Sequence, residues 1–232
     1  MIDYNCFIGN WPFHKTRNNK FSDILRMHKN TGVEYGYISK IESIFYNDPY
    51  ESELELYNEI KGSGYKQVLT INPTLDICIN TVKRAIEELK ICGVRIMPGY
   101  HGYSINDDCV KDLVKLLRKN NLPLFINVHL EDERVSYLIH PNPVPMDELK
   151  EFIKNNPDLE ILLCTIGFNE LVRIKEEVMN AKKLTFDTSG FKDRIFAMTY
   201  LREEGMDKKA RFGSMAPIFA YESSYLIYTE ED

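Results

Sequence analysis

The sequence predicts an α/β fold, a single (β/α)8 TIM-type barrel that forms one domain over residues 1–232. Eight short runs rich in β-branched or aromatic residues recur along the chain, separated by segments with helical periodicity. The glycine patterns that bind dinucleotides or phosphates in open doubly wound sheets are absent from the sequence. The length of 232 residues is also close to the ~250 residues of a typical barrel. These observations favour the barrel over an open sheet.

The eight strands are expected to pair in parallel, because strands and helices alternate along the whole chain. After the eighth strand only residues 214–232 remain, so the last helix must be short. The predicted strands are 2–8, 33–39, 67–71, 93–97, 124–128, 159–164, 184–188 and 210–213.

Helices are predicted where apolar residues repeat at i, i+3, i+4 and i+7, which places them on one face. Asn106 or Asp107 can begin the second of the two clearest helices. Pro145 suits the first turn of a further helix, where its missing N–H costs nothing. His28 is expected on a surface helix. The two clearest apolar sets are Val82, Ala85, Ile86 and Leu89, and Val110, Leu113, Val114 and Leu117.

Charge and cysteine content indicate the type of partner. Lys and Arg number 29 against 35 Asp and Glu, and neither sign forms a long block, which argues against nucleic acid. The five cysteines are scattered and typical of reduced thiols. No run resembles a signal sequence or a membrane span. We therefore expect a cytoplasmic protein that binds a small molecule and neither nucleic acid nor a membrane. A homo-oligomer is possible on this evidence.

The densest polar cluster follows the fifth predicted strand. Asn127 and His129 share one face of this strand, because side chains alternate along it. In a functional interpretation His129 is an acid or base, Asp132 orients it, and Arg134 binds a carboxylate or phosphate. In the structural alternative, Asp132 and Arg134 form a loop ion pair and His129 is only hydrogen-bonded.

A second cluster follows the fourth predicted strand. Arg95 precedes a glycine-containing segment in which Tyr100 and His101 offer hydrogen-bond donors and stacking surface to a ligand. The alternative is a tight aromatic loop that covers the rim of the barrel. Trp11, the only tryptophan, can roof a pocket or simply pack on the rim, and Asp187 ends the seventh strand with a carboxylate.

No spacing in the sequence matches a zinc-binding histidine motif or the elbow that carries a nucleophilic serine. The residues by themselves therefore predict a polar pocket with an aromatic rim, and they leave its chemistry open.

The chain resembles the amidohydrolase-related metal-dependent hydrolases of the amidohydrolase 2 type along nearly its whole length. Residues 3–9 keep the frame of the family's Asp-x-His-x-His-x-Gly, and residues 187–190 keep its Asp-x-Ser-Gly. Further matches are similar to the family's strand ends: Gly93-Val94-Arg95 with Pro98, Pro123 with Asn127, Thr165-Ile166-Gly167, and residues 212–217. The resemblance implies a barrel hydrolase with a catalytic metal at the strand ends.

The chain departs from this family at the positions that ligate the metal. A hydrolytic Zn²⁺ needs about three nitrogen or oxygen ligands from the protein. None of the residues at these positions is a histidine or a carboxylate, so we expect no metal and no other cofactor. These residues are Asn5, Phe7, Asn127, Thr165 and Met215.

Three hypotheses remain. The first is a metal-free hydrolase or lyase for a small anionic or carbonyl-bearing compound. In it His129 and His101 transfer protons, Arg134 or Arg95 holds charge, and Asn5 and Asn127 orient polar groups. The second is a non-catalytic barrel that binds a ligand or partner. The third moves a metal outward to His129, His101 and Asp187.

Overall fold

The predicted strands form one parallel sheet in the order β1 to β8. The structure, a computed structural model, describes residues 1–132, 134 and 141–229. Three backbone hydrogen bonds join residues 212–216, which directly follow the last strand, to the first strand, for example Tyr4 N to Phe212 O at 2.8 Å. The fold is therefore the predicted (β/α)8 barrel. Its strands are β1 (Ile2–Ile8), β2 (Tyr35–Lys40), β3 (Lys66–Thr70), β4 (Gly93–Ile96), β5 (Leu124–Asn127), β6 (Ile161–Cys164), β7 (Leu184–Asp187) and β8 (Ala210–Arg211).

Helices follow the strands and pack on the outside of the sheet. The last helix is short, as predicted, and no described helix has both the length and the apolar character needed to cross a membrane. The helices are α1 (Phe21–Thr31), α2 (Tyr50–Ile60), α3 (Cys78–Glu88), α4 (Pro98–His101), α5 (Asp108–Asn120), α6 (Met146–Asn155), α7 (Phe168–Arg173), α8 (Lys175–Asn180), α9 (Arg194–Glu203) and α10 (Tyr221–Thr229).

The strand boundaries differ from the predicted ones by at most two residues. The early predicted starts of β2 and β6 are wrong because residues there still belong to the preceding turn. The N–H of Val33 donates to His28 O at 2.9 Å, and that of Leu159 to Asn156 O at 3.2 Å. Apolar character alone does not separate such a turn from a strand.

Two local predictions need correction. His28 is not on a surface: it is buried in α1, where Asp3 and Tyr65 satisfy both of its ring nitrogens. The apolar pattern around it does not reveal this, because a histidine with two partners can replace a core residue. Pro145 precedes the first helical residue, Met146, and occupies the N-cap position of α6.

The interior of the barrel has an apolar layer and a polar layer. Alternate residues of each strand face inward. Inside the barrel, Val68, Phe125, Leu162 and Cys164 pack together as an apolar cluster, with Phe125 and Leu162 toward the amino ends of their strands. Arg95, Asn127 and other buried polar side chains follow them toward the carboxyl ends. The barrel therefore has a solid base, and its polar groups lie where sites occur in this fold.

A buried carboxylate joins α2 to the sheet. Glu53 is fully buried, and its Oε2 accepts from Gln67 Nε2 at 2.8 Å while Oε1 accepts from the N–H of Thr70 at 3.3 Å. Burial raises the pKa of Glu53 to about 7, although these hydrogen bonds favour the ionised form. The folded protein thus keeps a proton on Glu53 at pH values where the unfolded chain has released it.

This proton predicts a pH dependence of stability. Between the ordinary glutamate pKa of about 4.3 and the folded value of about 7, the free energy of unfolding should fall as pH rises. The contribution of Glu53 is roughly 3–4 kcal/mol across this window. Urea unfolding at several pH values should show a flatter profile for Glu53→Gln. The matched control Glu55→Gln, on the exposed face of the same helix, should keep the wild-type profile. Equal slopes for all three proteins would contradict the assignment.

Candidate active site

The centre of the barrel is built around Arg95, which extends inward from β4 and is fully buried. Its Nη1 donates to Asn5 Oδ1 at 2.7 Å and to Asn127 Oδ1 at 2.6 Å, and its Nε donates to Ser39 Oγ at 3.0 Å. The guanidinium also lies over the ring of Phe7, 4.5 Å from its centroid. One permanent cation therefore links strands β1, β2, β4 and β5.

The two asparagines are oriented by these contacts. A guanidinium can only donate and an ionised carboxylate can only accept, so Asn5 must turn its oxygen to Arg95 and its nitrogen to Asp187. Asn5 Nδ2 lies 2.8 Å from Asp187 Oδ2, and Asn127 Nδ2 lies 3.3 Å from Thr165 Oγ1. Asn5 thus connects the buried cation to a buried carboxylate.

Asp187 ends β7 and supplies the negative charge of the centre. Its Oδ1 accepts from the hydroxyl of Ser189 at 2.6 Å and from the N–H groups of Ser189 and Thr165 at 2.9 and 3.2 Å. Complete burial raises the pKa of Asp187, while the hydrogen bonds from Ser189, Thr165 and Asn5 oppose that rise. The carboxylate is therefore held by surrounding donors on both of its oxygens.

The centre is closed toward the mouth of the barrel by Met215 and Thr165. The Met215 sulfur lies 3.4 Å from Asn5 Nδ2 and 3.6 Å from Thr165 Oγ1. Both residues have positive φ, 52° for Met215 and 56° for Thr165, a conformation that is uncommon outside glycine. These backbone turns at the strand ends direct both side chains over the polar layer.

This donor set does not fit a divalent metal. The amide oxygens of Asn5 and Asn127 already point at a positive charge, which would repel a second cation beside it. Phe7 offers no ligand atom, and a methionine thioether suits soft ions rather than Zn²⁺ or Mn²⁺. The residues at the metal positions of the resembled family are thus occupied in binding Arg95 and one another.

A groove lies above this centre, at the carboxyl ends of β5 to β8. It is open to solvent, with a volume of about 800 Å³. Of the predicted site residues it brings together His129, Asp132 and Arg134, while Thr165 and Ser189 connect it to the polar layer below. Asn5, Arg95, Asn127 and Asp187 lie beneath it and do not line it.

The groove contains a histidine–glutamate pair. His129 Nε2 lies 2.7 Å from Oε2 of Glu170, and both side chains are partly exposed. Burial raises the pKa of Glu170, but the hydrogen bonds from His129 and from the N–H of Gly167 outweigh it, so the pKa is lowered. The ionised Glu170 can only accept, so the Nε2–H of His129 donates this hydrogen bond, and in that tautomer Nδ1 is the acceptor nitrogen of the ring.

Asp132 forms the loop ion pair of the structural alternative, and not the contact with His129 that the functional interpretation expected. It forms a local pair with Arg134, whose Nε lies 2.9 Å from Asp132 Oδ1 and whose N–H donates to the same oxygen at 2.9 Å. This side-chain hydrogen bond from Arg134 holds the pKa of Asp132 at about 2. Arg134 is only two residues from Asp132, so this pair forms within one loop. The partner of His129 is instead Glu170, which comes from a different loop.

Sequence reasoning missed Glu170. Its signal was present: Gly167 precedes α7, and a glutamate three residues later can accept from the N–H at the helix start. The structure shows this contact at 2.9 Å, and the same Oε2 accepts from His129. Glu170 is thus fixed by its own helix before it meets the imidazole.

The other half of the mouth is closed by aromatic packing. Trp11 is buried against Phe13 and Phe45, with ring centroids 5.4 and 5.7 Å apart, and Tyr100 packs on Phe45 at 5.3 Å. His101 lies behind this layer, where its Nε2 donates to Ile44 O at 2.8 Å and burial lowers its pKa. These three predicted residues, Trp11, Tyr100 and His101, do not line the groove.

The proposed outward metal set of His129, His101 and Asp187 is not assembled. Within the described ranges, only Asp3, Cys6 and His28 place three ligand atoms of histidine, cysteine or carboxylate within 4.8 Å of one another. His140, which carried no predicted role, lies outside the described residues.

Comparisons with known proteins identify the fold. No protein-family model matches the chain, and no curated protein sequence matches it significantly. Among solved structures, a probable 2-pyrone-4,6-dicarboxylic acid hydrolase from Acinetobacter baumannii, with citric acid bound, is 11% identical with a TM-score of 0.67. The alignment covers 98% of this chain and 90% of that one.

Two further solved structures have the same architecture. The 4-oxalomesaconate hydratase from Rhodopseudomonas palustris is 13% identical over 97% of this chain and 87% of that one, with a TM-score of 0.63. The 5-carboxyvanillate decarboxylase from Sphingomonas paucimobilis is 13% identical over 88% and 74%, with a TM-score of 0.62. The chain therefore shares the barrel fold of these three proteins.

The contacts of Arg95 predict its effect on stability. Arg95→Met leaves two buried amide oxygens without a hydrogen-bond donor and removes the positive charge that compensates Asp187. This change should lower the free energy of unfolding by roughly 3–5 kcal/mol. Urea unfolding measures this loss, and Arg84→Met, on the surface, should cost far less. Adding Asp187→Asn to Arg95→Met should recover part of the loss, because it removes the uncompensated charge. Equal effects of Arg95→Met and Arg84→Met would refute this account of the centre.

Proposed function

We propose that the chain is an amidohydrolase-like barrel enzyme, a hydrolase or lyase that works without a metal at the barrel centre. The observation that carries this proposal is the His129–Glu170 pair in the groove, with Nε2 and Oε2 2.7 Å apart. The barrel shared with hydrolases, hydratases and decarboxylases supports the reaction class. The groove lies at the carboxyl ends of the strands, where barrel enzymes hold their active sites.

In the hydrolytic form of the reaction, His129 acts as general base. Its Nδ1 takes a proton from water while the water oxygen forms a bond to the substrate carbonyl carbon, and the carbonyl π electrons move to the oxygen. Glu170 stabilises the imidazolium that results. The electron pair on the oxyanion then re-forms the carbonyl, the bond from carbon to the leaving group breaks, and the leaving group takes the proton back from His129. No hydrogen bond within the described residues occupies Nδ1, so this nitrogen can reach water or substrate.

The charges of the groove limit the substrate. Arg134 and Lys192 bring positive charge, and we assign them to a substrate carboxylate or to the oxyanion that develops during attack. Carboxylates outnumber these cations among the described lining residues, since Glu131, Asp132, Glu170 and Asp193 are also present. A polyanion would be repelled. The groove therefore suits a small carbonyl compound with no more than one carboxylate.

Arg95, Asn5, Asn127 and Asp187 have a positioning role in this proposal. Met215 and Thr165 separate these four residues from the groove. Thr165 and Ser189 line the groove and are held in position by their hydrogen bonds to Asp187. His101, Tyr100 and Trp11 close the mouth on the opposite side. Proton transfer is left to His129 alone.

The test is turnover on a panel of small esters, lactones, amides and β-keto acids, followed by mass spectrometry. His129→Asn should lower kcat/KM by about 10²–10⁴-fold on any substrate found, because it removes the proton acceptor. Glu170→Gln should also lower it, since an amide can donate to Nε2 and fix the wrong tautomer. His14→Asn is the matched control: it also pairs with a glutamate, at 2.9 Å, but lies outside the groove lining. Full activity of His129→Asn would refute the proposal.

A second candidate is a non-catalytic barrel that binds a small molecule in the same groove. The observation that favours it is the barrel centre, in which Asn5 and Asn127, at two metal-ligand positions of the resembled family, bind Arg95 instead. On the same panel it predicts thermal stabilisation by a ligand without chemical change, about 2.7 kcal/mol at a ligand concentration of 100 times Kd. Any turnover that depends on His129 excludes this candidate.

A further inference from the structure

A second cluster of reactive side chains lies outside the barrel interior, between β1 and α1. Asp3, Cys6 and His28 are all buried, and their ligand atoms lie within 4.8 Å of one another. None of the three lines the groove or contacts Arg95 through a hydrogen bond. We propose that these residues form a binding site for one zinc ion, independent of the groove.

An irregularity in β1 builds the site. Residues three apart in a regular strand face opposite sides of the sheet. The pairing of β1 with β2 shifts register between Asp3 and Cys6, as at a β-bulge, which turns a side chain to the other face. Asp3 and Cys6 consequently both face α1, where His28 lies in the last turn of the helix.

The neighbouring strand leaves room beside the sulfur. A Cβ atom on Gly36 of β2 would lie 2.8 Å from Cys6 Sγ and 3.3 Å from His28 Cε1. Any other residue there would force these two ligands to move. Glycine at this position therefore preserves the approach of thiol and imidazole.

The contacts of His28 are those of a metal ligand. Its Nδ1 lies 2.6 Å from the hydroxyl of Tyr65, and its Nε2 lies 3.1 Å from Asp3 Oδ2. Histidines that bind metals usually have their second nitrogen held by an oxygen, which fixes the ring and its tautomer. Tyr65 provides that oxygen. Once the proton has moved to Nδ1, the lone pair of Nε2 is free for an ion in the space shared with Asp3 and Cys6.

Asp3 is prepared in the same way. Its Oδ1 accepts from the N–H groups of Asn5 and Ser214, both at 3.0 Å, so the carboxylate is fixed by backbone on two sides. Oδ2 remains for the ion. Ligand atoms around a tetrahedral zinc lie about 3.3–3.6 Å apart, so the separation of 3.1 Å between Oδ2 and Nε2 is close to that of a bound state.

The donor chemistry selects the ion. A thiolate, an imidazole and a carboxylate suit Zn²⁺ or its substitute Co²⁺, and not Ca²⁺ or Mg²⁺. On binding, Cys6 releases its thiol proton to solvent, and the neutral His28 moves its proton from Nε2 to Nδ1, where the Tyr65 oxygen accepts it. One thiolate and one carboxylate then balance the charge of one divalent ion. The complex of the ion with Cys6, Asp3 and His28 is therefore neutral overall, which suits a buried site.

Metal content measures the proposal directly. The full chain is produced in minimal medium with Zn²⁺ or Co²⁺ and freed of loose metal by gel filtration. We expect about one ion per chain in the wild type, and at least about a tenfold loss of retained metal in Cys6→Ser, because ligand removal weakens such sites strongly. Cys164→Ser is the matched control, since Cys164 is equally buried but lies inside the barrel.

Cobalt supplies a readout that does not depend on the variants. A sulfur-to-cobalt charge-transfer band in the wild type, retained in Cys164→Ser, supports the site even where Cys6→Ser fails to fold. Wild-type protein without retained metal would overturn the proposal. So would bound cobalt without the sulfur band, or metal content that Cys6→Ser leaves unchanged, because either result places the ion away from Cys6.

Discussion

The buried guanidinium of Arg95 is the constraint on which the interior of this barrel depends. A permanent charge in a medium of low dielectric must be met by hydrogen bonds and by a countercharge, or the fold loses several kcal/mol. Asn5, Asn127 and Ser39 provide the hydrogen bonds, and Asp187 provides the charge through Asn5. The orientation of both amides follows from this single group. Arg95 therefore orders the strand ends at the centre of the barrel.

The residues that stabilise the barrel centre are different from the residues that we propose for catalysis. The residues of the polar layer bind one another, and Met215 and Thr165 cover them. The reactive pair that we propose, His129 and Glu170, lies on loops above it, in a groove open to solvent. Loop residues can change there without disturbing the strands that support them. Aromatic packing closes the other half of the mouth, so the groove occupies only one side of the barrel.

The sequence predicted the barrel well and the site only in part. Strand–helix alternation depends on local patterns, so the eight strands were found within two residues of their bounds. The pairing of His129 with Glu170 depends on how two loops meet, and no periodicity in either loop encodes it. The sequence left two roles for Asp132 open, an orienter of His129 or a partner of Arg134, and the structure shows the pair with Arg134. Burial of His28 was likewise hidden, since its partners Asp3 and Tyr65 come from distant segments.

The central claim, that a guanidinium takes the place of a metal in this barrel, is tested most directly by anomalous X-ray diffraction. Crystals grown with Mn²⁺ and Zn²⁺ would be measured at the absorption edge of each metal. We predict no anomalous peak between Asn5 and Asn127, and continuous density for Arg95 bonded to both amide oxygens. A peak ligated by Asn5, Asn127 or Asp187, with Arg95 displaced from the centre, would contradict the account.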